Sequence, residues 1–131
     1  MLTQQMSIVS LSNDGYGASV FSTTNIDLTG EESRRLSEQI GAVNFRLRSS
    51  SADYASGFHV AGDPTLLIIL SGTMVIRLPN GESQSFSAGD MFIAEDYLAD
   101  GVEFEQGKHG HMAEIAGDQP LNAIHLKLSR R

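Results

Sequence analysis

Apolar and polar positions alternate along most of this chain with a period of two, in short bursts separated by turn residues. Leu66 to Leu70 is a continuous apolar run, the pattern of a strand covered on both faces. Met74, Ile76 and Leu78 then alternate with Val75 and Arg77, as in a half-buried strand. Met91 to Ala94 reads as a further strand. Ser71-Gly72 is a tight-turn signal. Pro79-Asn80-Gly81 closes a hairpin, because Asn-Gly tolerates the positive φ that hairpin turns need. Ser87-Ala88-Gly89-Asp90 is another turn. Residues 58–96 thus read as strand, turn, strand, turn, strand, and the rest of the chain is organised around them.

Upstream, residues 5–11 form an edge strand, Asn13-Asp14-Gly15 a turn, and Ala18 to Leu28 a β-rich stretch. One segment departs from the period of two. Thr29 and Glu32 make a capping-box pattern, Glu31 and Glu32 suit a helix start, and Leu36 and Ile40 lie four apart with Gly41 as a stop. The spacing predicts one short helix over 31–39. Val43, Phe45 and Leu47 alternate with Asn44, Arg46 and Arg48, giving a strand with one apolar face; Ser49 to Gly57 is a polar loop. Residues 108–115 and 121–128 read as the last two strands, and in the second of these Ile124, Leu126 and Leu128 share a face.

These strands and turns resemble the cupins, small β-barrels of the jelly-roll kind. The matching residues are His59, then Leu70-Ser71-Gly72 ending one strand, Asn80-Gly81 in the hairpin, and Ala88-Gly89-Asp90 opening the next strand. Within the cupins the chain is similar to a group of small bacterial proteins. They carry H-x-A, L-S-G, G-D-x-x-x-x-E-D, G-K-G-H and G-D-x-P in that order. Here these are His59-Val60-Ala61, Leu70-Ser71-Gly72, Gly89-Asp90 to Glu95-Asp96, Gly107 to His111, and Gly117 to Pro120. Ser19-Val20-Phe21 matches an S-x-F near the group's start, so the likeness spans nearly the whole chain. It implies an all-β double-stranded β-helix, a jelly-roll cupin barrel with one short helix. The expected organisation is a single domain over 1–131, its barrel core at about 42–128 and its N-terminal strands and helix at 5–40. Cupins pair through their sheets, and the N-terminal strand is a free edge until covered. The resemblance implies a homodimer with residues 5–28 in the contact.

Composition narrows the partners. A chain of 131 residues suits one domain with its own core. The formal net charge of −7 lacks the basic surplus that nucleic acid or an anionic membrane requires. There is no cysteine, hence no disulfide and no thiolate chemistry. The first ten residues lack the basic flank and apolar run of a secretory signal, and no apolar stretch approaches membrane-span length. The expectation is a soluble cytoplasmic protein that binds neither nucleic acid nor membrane.

The candidate chemistry lies in the histidines. Metal-binding cupins hold their ion with two His and a Glu from a first motif and a His from a second. In this chain the resemblance puts His59 at the first position, Ala61 at the second and Thr65 at the Glu. In the second motif His111 lies six residues before Gly117, with His109 two residues earlier. In a regular strand those two imidazoles share a face. Ala61 and Thr65 weigh against the usual four-ligand site, and one reading has His59, His109 and His111 complete a three-His cluster for one divalent metal (Zn, Fe, Mn or Ni). The other reading makes His59 and His111 metal-free pocket residues beside a small-molecule ligand. Arg46, if inside the barrel, and Tyr54 at its mouth complete that pocket. His125 reads as structural. Glu95-Asp96 stands either as a carboxylate at the pocket or as a turn cap. Residues 97–106 read as a solvated acidic loop or as a lid. Three functions stay open: an enzyme on a small polar metabolite, a binding module without turnover, and a structural barrel with a vestigial pocket.

Overall fold

Ten strands carry the regular structure of the computed structural model, which describes residues 2–130; Met1 and Arg131, the ends of the expected 1–131 domain, lie outside the described residues. The strands are β1 (Leu2–Asn13), β2 (Ser19–Glu31), β3 (Arg34–Leu36), β4 (Ala42–Ser50), β5 (Thr65–Ser71), β6 (Thr73–Arg77), β7 (Ser83–Ser87), β8 (Met91–Ala94), β9 (Met112–Ala116) and β10 (Leu121–Leu128). They form two sheets. The large one has the order β3-β2-β1-β8-β5-β10-β4 and the small one β7-β6-β9. Pairing is antiparallel apart from β1 with β8. The sheets face one another as a sandwich and do not close into a continuous barrel. No helix among the described residues is long and apolar enough to cross a membrane.

The expected helix over 31–39 is absent. Instead β2 runs on to Glu31 and folds back onto β3, with Thr29 opposite Leu36, Gly30 opposite Arg35 and Glu31 opposite Arg34. The competition is physical. A helix of that length is marginal in water, and its apolar side chains, Leu36 and Ile40, are exposed here. Extending β2 instead keeps it paired with β1 as far as Leu2 opposite Gly30. The reversal needs Gly30: its φ is +134°, and a Cβ there would come within 2.5 Å of the Arg34 carbonyl oxygen.

The core lies between the sheets. Leu11 on β1, Leu67 and Ile69 on β5, and Phe92 on β8 meet Met74 and Ile76 on β6, Phe86 on β7 and Ile115 on β9. Phe86 and Phe92 stack across the gap at 4.4 Å. Each such side chain contributes roughly 1.5–3 kcal/mol by leaving water. The apolar face of β4 does not join this core. Val43, Phe45 and Leu47 are 62 %, 66 % and 75 % exposed. On the alternate row Arg48, opposite Ala123, is half-buried, while Arg46, opposite His125, is exposed. Ile124, Leu126 and Leu128 of β10 line up beside the outward row of β4.

Candidate active site

Where the sheets diverge they leave a cavity of about 260 Å³. Its apolar lining comes from both sheets: Leu67, Phe92 and Ala94 on one side, Met74, Ile76 and Ala113 on the other. Its polar lining includes Arg48, Tyr54, His59, His111, His125 and Lys127. Ala61 and Thr65 also border it.

His59 and His111 are brought together by the backbone. They form an isolated antiparallel bridge, with the His59 N–H donating to the His111 carbonyl at 2.9 Å and the reverse bond at 2.8 Å. Directly opposed residues put their side chains on one face, and the two imidazole centres lie 4.6 Å apart.

The partner of His111 is Asp96, which is 0 % exposed. One oxygen, Oδ2, lies 2.7 Å from His111 Nδ1 and 2.5 Å from the Ser19 hydroxyl. The other, Oδ1, accepts the Ala61 amide at 3.0 Å. Burial pushes this carboxyl up. The hydrogen bond and charge of His111, with the Ser19 hydroxyl and the Ala61 amide, outweigh it and hold the group below the usual carboxylate value. An ionised carboxylate only accepts, so His111 donates through Nδ1, and a singly protonated ring in that tautomer has a bare Nε2. His59 follows the same rule. Its Nδ1 lies 3.0 Å from the Gly57 carbonyl oxygen, which also only accepts, so its Nε2 is the free nitrogen too.

His109 is not part of this group. Gly110, at φ +86°, interrupts the alternation, so His109 and His111 do not share a face. The His109 ring is buried against Gly17 and lies edge-on to Phe104, and its Nδ1 accepts the Glu105 amide at 3.0 Å. The cluster of His59, His109 and His111 expected to hold a metal is therefore not assembled. Among the described residues no group of three or more His, Asp or Glu side chains could hold an ion. The residues present do not fit a resident divalent cation.

The arginine reading shifts by two residues. Arg48, not Arg46, lines the cavity; Arg46 is exposed beside it. The Arg48 guanidinium sits 4.9 Å over the Tyr54 ring, donates through Nε to the Ser50 hydroxyl at 2.9 Å, and places Nη1 3.4 Å from His125 Nε2. His125 is thus a cavity residue. Burial, followed by the charges of Arg48 and Arg46, holds it below the ordinary histidine value. The acidic stretch 97–106 does not line the cavity; Phe104 turns toward His109 and Gly110, and Asp100, Glu103 and Glu105 are exposed.

No protein-family model matches the chain, and no curated protein matches it. Among solved structures, protein NMB1881 from Neisseria meningitidis is similar with a TM-score of 0.45 and 18 % identity, over 70 % of this chain and 84 % of that one.

Proposed function

We propose that this chain is a small cupin-type jelly roll whose cavity binds a small polar metabolite and moves a proton on it. The observation that carries the reading is the buried Asp96–His111 pair, joined by a second imidazole at the wall of a cavity. A neutral His111 anchored through Nδ1 is a positioned base. Its Nε2 takes a proton from a carbon next to a carbonyl; the C–H electron pair becomes the C=C bond of an enolate as the carbonyl π pair moves onto oxygen. His111 or His59 then returns a proton to the same carbon, and the oxygen pair re-forms the carbonyl. The net change is proton exchange or epimerisation at that carbon, which needs no co-reactant. Asp96 holds the imidazole in the reactive tautomer and stabilises the imidazolium that forms.

The test follows small carbonyl compounds by proton NMR in D2O. The protein is expected to speed loss of the signal next to the carbonyl. His111→Gln should return exchange to the uncatalysed rate, and Asp96→Asn should slow it by about 10²- to 10⁴-fold. Exchange that survives in His111→Gln would contradict the reading, and its absence for every compound would favour a binding module without turnover.

We further propose that the protein pairs with a second copy through the outer face of the large sheet. Its outward row on β4, Val43, Phe45 and Leu47, is apolar and exposed. Residues 5–28 contribute through Met6 and Ile26, which share a register pair.

A further inference from the structure

The charge of the cavity is unbalanced. Its one lining carboxylate, Asp63, is already held by two cations, with Lys127 Nζ at 3.4 Å and Arg130 Nε at 3.1 Å. Arg48 pairs with no carboxylate among the described residues. Its neighbours are a hydroxyl, an imidazole and an aromatic face. None of these neutralises a guanidinium, and His125, kept neutral by burial and by that charge, adds none of its own. A chain of net charge −7 therefore lines its cavity with an uncompensated cation, and a recess with low-dielectric walls concentrates such a field on an incoming anion.

Shape selects among anions. A guanidinium presents a planar fork of donors that matches a carboxylate. The Tyr54 face and the Ser50 hydroxyl fix the plane of that fork. About 260 Å³ equals the volume of roughly nine water molecules, room for a ligand of about that many non-hydrogen atoms. Half of the lining is aliphatic or aromatic, which suits a short carbon chain better than a polyanion.

We propose that the ligand is a small monocarboxylic acid, its carboxylate held by Arg48 and its proton-bearing carbon facing His111 and His59. The carboxylate assignment stands on Arg48 alone; the placement of the carbon rests on the proton-transfer reading above. The test titrates the whole protein with pyruvate, pyruvamide and inorganic phosphate by calorimetry and NMR. Pyruvate is expected to bind at least about tenfold more tightly than its uncharged amide, since a charged hydrogen bond is lost in the amide. Phosphate should also bind more weakly than pyruvate. Arg48→Gln should weaken pyruvate by about ten- to hundred-fold, and Arg48→Lys, which keeps the charge without the fork, should fall between. The wild-type comparison of acid with amide needs no variant to fold. Equal affinities for pyruvate and pyruvamide, tighter phosphate, or an Arg48→Gln variant that binds as the wild type does would overturn the assignment. If pyruvate binds as expected but its methyl protons do not exchange with D2O, the carboxylate site stands and the proton-transfer reading fails.

Discussion

Asp96 is the residue on which the site depends. It is ionised, fully buried and surrounded by three donors, one from a hydroxyl, one from an imidazole and one from the backbone. Removing it leaves those donors unpaired, and Asp96→Ala is expected to lower stability by about 3 kcal/mol in urea denaturation. Acid should act in two windows. His125 has a depressed value in the folded state, so below the ordinary pH 6.5 the unfolded chain binds more protons and stability falls. Asp96 is also depressed, and below about pH 3.8 its contribution is lost in turn. Denaturation midpoints across pH should show both windows, and His125→Gln should remove the upper one alone. The sequence made His59 and His111 visible through their motif spacing. It left Asp96 between two readings, because Glu95-Asp96 follows a strand end, where a turn cap is equally natural. Arg48 and His125 stayed hidden for one reason: on an edge strand and its neighbour, the alternation identifies two faces but not which one is turned inward.

The strands around residues 65–94 were legible as elements because they are short and end in turn residues. The segment after Thr29 was not. Its local signals favour a helix, while its ladder partner on β1 lies 28 residues upstream, Leu2 opposite Gly30, and no window of local sequence contains both. Gly30 carries that choice. Gly30→Ala should cost about 1–3 kcal/mol of stability through its positive φ and the close Arg34 carbonyl. Ligand affinity should not change, since Gly30 does not line the cavity. A variant as stable as the wild type would mean that the β2–β3 reversal has another geometry.

At the scale of the whole molecule, one sheet shields the cavity on its inner side and leaves an apolar surface on its outer side. If two copies cover that surface, sedimentation should give a dimer, and Phe45→Glu with Leu47→Glu should give monomers that keep the cavity. A wild-type monomer at high concentration would contradict the pairing. Central to the site, the fold holds two imidazoles with Nδ1 engaged, which leaves Nε2 as the nitrogen free to meet a ligand. Long-range nitrogen–proton NMR of the histidine rings, at mildly alkaline pH, reads this directly. The prediction is Nδ1–H tautomers for both His59 and His111, with His111 losing its preference in Asp96→Asn. An Nε2–H tautomer at His111 in the wild-type protein would contradict it.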